Sequence, residues 1–548
     1  MKSVLAEAVA AGDVALDTLP DEVRVERPKS RDHGDWATNI ALQLAKPAAM
    51  NPRQLADVLA TRLSEHPGIS AVEIAGPGFI NITLDAASAG QLAQAIVEAA
   101  DTYGHNQTLA GHSVNLEFVS ANPTGPLHIG HTRWAALGDA VSRLLRASGA
   151  SVTNEYYIND AGNQMNVFAE SVLARLHGEQ VPAGGYPGEY VMELAETVRD
   201  QHPDIKGLDR AEALPIAREI AYEEQMRRIR QTLENFGVHF DVYSAERSLH
   251  ESGKLDDAVA TLREQGHVED REGAVWLRTT DSGDDKDRVL IKADGEPTYF
   301  AADAAYYLDK RQRGFTEKIY LLGADHHGYV GRLKALAACA GDDPEYNIEI
   351  LIGQLMSVKG ARLSKRAGNI IALDDLIEWL GTDALRYTLG RYPADSPIDV
   401  DPELLRSKTN DNPVFYVQYA HARACNAARN AHAQGVERTG PDGGGFDAGL
   451  LSHEREEELL AHLAKFPTLV ARAAELREPH RVARYLEDLA AAYHAWYAKC
   501  RIAPSMTESG ETEPVTDLNR SRLWLNDATV QVLRNGLDLL GVAAPEKM

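Results

Sequence analysis

Cysteine is scarce: the 548 residues hold only Cys339, Cys425 and Cys500, each far from the others in apolar, helix-like surroundings. That spacing supports neither a disulfide framework nor a four-thiolate zinc site, so the three are expected to be buried free thiols. Long apolar runs are missing too. No stretch approaches the ~20 residues of a membrane span, and the opening Met1-Lys2-Ser3-Val4-Leu5-Ala6-Glu7 continues into an alanine-rich helical pattern without a cleavage signal. A soluble, cytoplasmic protein with no membrane partner is expected. Positive charge is also in deficit, 56 Lys and Arg against 81 Asp and Glu, for a formal net charge of −25. Indiscriminate nucleic-acid binding needs the opposite field, whereas a local basic face on an acidic body suits selective RNA recognition. No internal repeat is visible.

What is present is length and apolar content: 44% of the residues are hydrophobic, ample for cores in three or four domains. Residues 1–108 read as a small α/β module, with helices near Met1–Gly12 and Asn51–Ser64. A strand pair around Val72–Ile74 and Gly78–Leu84 flanks the turn Ala75-Gly76-Pro77-Gly78. Residues 109–405 read as an α/β nucleotide-binding core whose rhythm is interrupted at about 180–290 by inserted helices and a small sheet. The core resumes at Lys318–Gly323, a strand opening into Ala324-Asp325-His326-His327-Gly328-Tyr329, and ligands of open α/β sheets sit at such strand ends. Residues 406–548 are helical by their three-and-four apolar spacing, as in Leu451–Ala474 and Ala528–Leu539, with loops at 440–445 and 507–516.

The densest chemistry lies in Ser120-Ala121-Asn122-Pro123-Thr124-Gly125-Pro126-Leu127-His128-Ile129-Gly130-His131. A strand over Ser113–Val119 precedes it; a helix over Thr132–Arg146 and a strand over Val152–Ile158 follow, making a βαβ unit. Pro123 and Pro126 stiffen the loop, Gly125 and Gly130 permit close approach, and the helix start offers unpaired N–H groups, so a nucleotide phosphate is the expected guest. The competing readings are half a zinc site, for which no nearby Cys/His pair completes the set, and two structural histidines.

A second loop, Gly360-Ala361-Arg362-Leu363-Ser364-Lys365-Arg366-Ala367-Gly368-Asn369, carries three cations in five residues ahead of a helix from about Leu373. Such a loop can embrace a triphosphate whose transition state gains negative charge; alone, it is equally a solvated basic turn. Tyr299 and Asp303 are four apart and share a face if Ala301–Leu308 is helical, though Asp303 could be only a first-turn acid. Arg477, Arg481 and Arg484, at i, i+4 and i+7, form one basic helix face able to follow a phosphate backbone or simply to be solvated.

His128-Ile129-Gly130-His131 and Arg362-Leu363-Ser364-Lys365-Arg366 resemble the His-x-Gly-His and Lys-Met-Ser-Lys-Ser signatures of the class I aminoacyl-tRNA synthetases. The first is intact; the second has Arg for the first Lys, Leu for Met and Arg for the final Ser. Leu116–Pro123, Tyr156–Gly162, Asp383–Tyr387, Asn412–Ala420 and the ending Leu539–Met548 are similar to the arginyl-tRNA synthetases in particular, in order along the whole chain.

The resemblance implies a class I Rossmann-type core, an N-terminal α/β domain touching the tRNA elbow and a C-terminal all-helical anticodon-binding domain. It implies ATP-dependent activation of L-arginine to arginyl-adenylate, then transfer to the terminal adenosine of tRNA(Arg), with activation requiring bound tRNA. His128, His131 and Lys365 would be catalytic, with Gly130, Arg362, Ser364 and Arg366 on the phosphates and Mg2+ arriving with ATP; no protein metal site or tightly bound cofactor is expected. Glu117, Ser120, Asn122, Tyr299, Asp303 and His326 would form the arginine pocket, His326 standing where some relatives carry Gln. Phe79 and Asn81 would contact a tRNA base, although Phe79 alone reads as a core aromatic; Arg477, Arg481 and Arg484 would join the RNA surface. A monomer is expected. A paralogue kept as a binding module would be expected to lose part of the His128, His131 and Lys365 set, and a cysteine-specific synthetase would need Cys/His zinc ligands that are not here. No editing domain is evident, as suits a substrate already distinguished by charge and fork geometry.

Overall fold

A computed structural model describes all residues except 17, 21, 22, 27, 29–32, 67, 85, 361–369, 440–444 and 506–511. The first region holds an antiparallel sheet of β1 (Trp36–Thr38), β2 (Ile69–Ala75) and β3 (Phe79–Leu84) in the order β1-β3-β2. The helix Pro52–Ser64 starts where Asn51 accepts the Arg53 N–H at 2.9 Å and Pro52 fills a position whose N–H would be unpaired. Its Leu55, Leu59 and Leu63 join Val4, Leu5, Ile80 and Ile82 in a core separate from the rest of the molecule.

The chain then builds β4 (Ser113–Glu117), β5 (Ser151–Ile158) and β6 (Val242–Ala245), followed by a small antiparallel sheet of β7 (Val268–Arg271), β8 (Ala274–Leu277) and β9 (Arg288–Ile291). It returns as β10 (Glu317–Gly323) and β11 (Ile348–Gly353), and a short parallel pair, β12 (Met356–Val358) and β13 (Ile398–Val400), closes the region. The five-stranded sheet is parallel throughout in the order β11-β10-β4-β5-β6. The order reverses between β4 and β10, so their carboxyl ends part and open the crevice where ligands of doubly wound folds bind. The Ile129–Ala147 helix crosses close to this sheet because Gly138 lies on the Phe118 ring; a Cβ there would stand 2.2 Å from it.

Two expectations change. The stretch 180–290 does insert helices, Glu189–Gln201 and Arg210–Asn235, and a small sheet, but β6 within it pairs with β5 as the edge of the main sheet. Four residues are too few for alternation to announce a strand. The strand expected over Ser113–Val119 ends at Glu117 because the backbone turns left-handed at the next residue but one.

Helices Pro413–Ala433, Glu454–Leu463, Phe466–Glu475, His480–Tyr497 and Asp517–Leu539 form the last region. Leu459, Phe466, Leu489 and Leu533 share one continuous hydrophobic cluster with Leu116, Phe118, Leu137 and Leu144 of the α/β core. At about 1.5–3 kcal/mol per buried large side chain, this is a fixed junction and not a linker. Cys339, Cys425 and Cys500 are buried free thiols.

Candidate functional site

The loop after β4 delivers His128 as the N-cap of the Ile129–Ala147 helix. Its Nδ1 accepts the Gly130 N–H at 3.1 Å, while the His128 N–H donates to His131 Nδ1 at 3.3 Å, a capping box made of two imidazoles. An Nδ1 that accepts leaves the proton on Nε2, so this pattern assigns both rings as neutral Nε2–H tautomers. Burial lowers the His128 pKa, and burial with the neighbouring His128 pushes His131 down to about 3. Neutrality is what lets the ring centroids approach to 3.9 Å. Two uncharged donors beside a helix N-terminus suit an anion. A Cβ on residue 130 would stand 2.9 Å from His128 Cε1, which explains Gly130.

Arg362, Ser364, Lys365 and Arg366 lie outside the described residues. The segment just beyond them is tied to the histidine loop. Ile129 N–H donates to the Ile371 carbonyl at 2.8 Å, Leu373 N–H to Leu127 at 2.9 Å, and His128 bridges Ala372.

At the end of β4 the backbone is strained. Val119 and Ser120 have φ of 69° and 41°, and Ser120 N–H reaches back to the Phe118 carbonyl at 2.9 Å, a three-residue turn of the rare positive-φ kind. Such conformations cost of order 1–3 kcal/mol each and persist where the surroundings dictate them. Here the Tyr156 hydroxyl brackets Ala121, accepting its N–H at 3.1 Å and donating to its carbonyl at 2.9 Å. The turn brings Ser120 Oγ under the Tyr157 N–H, 3.1 Å, and within 3.2 Å of Glu117 Oε1. Asn122 donates to Gln164 at 3.1 Å.

The facing wall is the Tyr299–Gln312 helix, capped by Thr298, and it covers the segment expected to be helical. Tyr299 stands at its mouth, 78% exposed. One turn deeper Asp303 accepts a hydrogen bond from the Tyr329 hydroxyl; burial, with Glu246 and Glu117 nearby, raises the Asp303 pKa to about 6. His326 is exposed in the short helix after β10, its ring 6.4 Å from Tyr329. Glu117, Asp160, Glu246 and Asp303 all bear on Tyr157, whose hydroxyl is raised first by burial and then by these carboxylates. The crevice is therefore acidic where it is deepest and donor-rich at the helix N-terminus, fit for a cation beside an anion. Sequence reasoning missed Tyr157, Glu246 and Tyr329; Tyr157 and Tyr329 fell within segments it singled out, and Glu246 did not.

The RNA candidates separate. Phe79, at the start of β3, is 42% exposed and so is not a core aromatic, whereas Asn81, two residues on, is 6% exposed. The single helix face of Arg477, Arg481 and Arg484 is not formed. Pro479 caps the His480–Tyr497 helix, and Arg477 lies in the preceding turn at φ 55°. The Arg477 side chain is buried and paired with Glu317 of β10 and Glu349 of β11, both at 3.2 Å. Arg481 pairs with Glu478, and Arg484 is exposed. A surface that sequence reasoning overlooked lies on the same region. Phe415 and Tyr419 stack at 5.8 Å and 7°, and Arg423 sits over Tyr419 at 4.6 Å and over the exposed Tyr497 at 5.6 Å.

Three family profiles match the chain: the arginyl tRNA synthetase N terminal domain over residues 1–84, the class I (R) tRNA synthetase catalytic domain over 91–183 and 209–387, and the DALR anticodon binding domain over 417–548. An arginine–tRNA ligase of Micrococcus luteus is 69% identical, the alignment covering 100% of this chain and 98% of that protein. One from Pseudarthrobacter chlorophenolicus is 68% identical with the same coverage. The Thermus thermophilus arginyl-tRNA synthetase structure shares the fold, with a TM-score of 0.74 over 100% of this chain and 99% of that one at 24% identity. With its Rossmann-type parallel sheet, its N-terminal domain, its helical C-terminal domain and these relatives, the chain belongs to the arginyl-tRNA synthetase family of class I.

Proposed function

We infer that the protein is an arginine–tRNA ligase, activating L-arginine with ATP to arginyl-adenylate and passing the arginyl group to the 3′-terminal adenosine of tRNA(Arg). The observation that carries this reading is one crevice with Glu117 and Asp303 on its cation side and the His128–His131 cap on its anion side. Arginine's carboxylate is already a nucleophile, so attack on the α-phosphorus calls for alignment and charge stabilisation more than for a base. In this reading His128 and His131 donate to the phosphates and Gly130 leaves room for their close approach, while Lys365 with Arg362, Ser364 and Arg366 follows the charge that builds on the departing pyrophosphate. Mg2+ carried on the triphosphate would offset that charge; the described groups of the anion side, His128, His131 and the helix N-terminus, are donors, which suits an ion that comes with the nucleotide. Asp303 and Tyr299 meet the guanidinium, a fork that carboxylates pair with in bidentate fashion, and Glu117, Ser120, Asn122 and His326 complete the pocket.

For tRNA, exposed Phe79 with Asn81 suits an unpaired base, and Arg481 and Arg484 suit the phosphate backbone. Phe415, Tyr419, Arg423 and Tyr497 offer a stacking platform for an unpaired loop. Arg477 is left out because its charge is spent on Glu317 and Glu349. The division 1–108, 109–405 and 406–548, a monomeric state and a cytoplasmic location complete the proposal; among the described residues no helix is long and apolar enough to cross a membrane. ATP–pyrophosphate exchange over the twenty amino acids, with and without tRNA, tests it. Exchange is expected with arginine alone and only when tRNA is present; exchange driven by another amino acid would overturn the assignment, and tRNA-free exchange would overturn the tRNA requirement.

A further inference from the structure

Glu117 and Glu155 are neighbours in register on β4 and β5, two buried carboxylates side by side. Each has its own cation from the Tyr299–Gln312 helix or the residue just past it. Glu155 is closed: Arg313 donates to both oxygens at 2.9 and 2.8 Å, Ser244 and Tyr306 donate to Oε1 at 2.6 and 2.9 Å, and Asn115 donates to Oε2 at 2.5 Å. Glu117 is open by comparison. Its Oε2 accepts Lys310 Nζ at 2.5 Å, and among the described residues its Oε1 meets only the long contact from Ser120 Oγ at 3.2 Å.

Lys310 is fully buried, with Nζ 4.2 Å from the Tyr306 ring centre and 4.1 Å from that of Tyr320, the residue paired with Glu117 across β10 and β4. A buried ammonium held between two aromatic faces has little rotational freedom, and burying it at all requires a compensating carboxylate. It sits two turns beyond Asp303 on the same helix and so on the same face. Lys310 offsets Glu117 and Arg313 offsets Glu155, and Asp303, bonded to the Tyr329 phenol with Glu246 nearby, adds negative charge beside them.

Resting on the arginine reading above, we propose that Lys310 is a positioning residue of the arginine pocket: it anchors Glu117 through Oε2 so that Oε1 is presented to the substrate in one fixed orientation. Lys310 touches no substrate atom in this account; all of its effect passes through Glu117.

A double-mutant cycle in tRNA aminoacylation tests this. Lys310→Met is expected to raise the KM for arginine about 10- to 100-fold, the range seen when the outer partner of a ligating group is lost, with the KM for ATP within about twofold of wild type. Lys310→Arg, which restores charge and donor between the two rings, should recover most of the loss. In a Glu117→Gln background, adding Lys310→Met should cost arginine nothing further, because a residue acting only through Glu117 has nothing left to act on. If either single variant folds poorly, the double variant, which leaves no unpaired buried charge, still reads the KM for arginine and the KM for ATP separately. Additive losses in the double variant, or arginine and ATP KM rising together, would overturn the inference and mark Lys310 as packing. Wild type that charges arginine while Lys310→Met keeps a normal arginine KM would overturn it too and leave the functional reading intact. Wild type that fails to charge arginine would overturn both.

Discussion

Asp303 is a carboxylate whose titration is set by burial. Burial raises its pKa to about 6, above the ordinary aspartate range, so the neutral acid prevails below that pH and cannot pair with a guanidinium. The kcat/KM for arginine is therefore expected to fall as the pH drops from 7.5 through 6, and Asp303→Asn should flatten that limb. The same substitution should weaken arginine by about 2–5 kcal/mol, as for truncation of one partner of a buried charge pair, with the ATP KM little changed. Steady-state kinetics from pH 5.5 to 8 check both; a limb that survives in Asp303→Asn would assign it elsewhere. The histidines are poor candidates for it, since His131 is pushed down to about 3 and His128 is also lowered. Their neutral state follows from burial and the cap.

At the scale of elements, the turn before the His480–Tyr497 helix separates two kinds of arginine. Arg477 bonds Glu317 and Glu349 across the domain junction, with only 7% of its side chain exposed, whereas Arg484 faces solvent. Arg477→Met is expected to destabilise the protein by about 2 kcal/mol, short of the ~3–5 of a fully buried pair because Glu349 is partly exposed, and to leave the salt dependence of tRNA binding unchanged. Arg484→Ala should instead lower the slope of log K against log salt by about 1 and leave stability alone. Chemical denaturation and tRNA titrations at several salt concentrations distinguish them; a changed slope for Arg477→Met would return that residue to the RNA surface. In sequence the three arginines look equivalent because spacing reports a face only if a helix spans them, and Pro479 starts that helix two residues after Arg477. The alternation of strand and helix around residues 113–158 was legible because its apolar periods are unambiguous. The γ-turn at Val119 was not, since a β-branched residue gives no hint of positive φ. Nor was the Lys310–Glu117 pair, whose members lie 193 residues apart.

Across the whole molecule, the helical region is fastened to the α/β core by buried polar contacts as well as by the shared apolar cluster. Arg386, fully buried, donates to the carbonyls of Leu540 at 3.2 Å and Phe236 at 2.9 Å and pairs with Asp139. Arg477 fastens the turn before His480 to β10 and β11, the strands that end beside the crevice. These fixed junctions hold the Tyr419–Arg423 platform and the catalytic crevice in one body, a geometry suited to a long RNA that touches both. Three successive regions were readable from helix and strand patterning, and the quoted signatures all fall in the second and third. The junctions were not, because Arg386 meets the chain end only after folding brings together residues more than 150 positions apart.

The central claim is that the carboxylates of this crevice select arginine by its charge. Citrulline has nearly the same shape with a neutral ureido group, so the most direct test is the ratio of kcat/KM for arginine and citrulline in aminoacylation of tRNA(Arg). A site built to pair with the guanidinium should favour arginine by on the order of 10⁴, and comparable charging of citrulline would contradict the account.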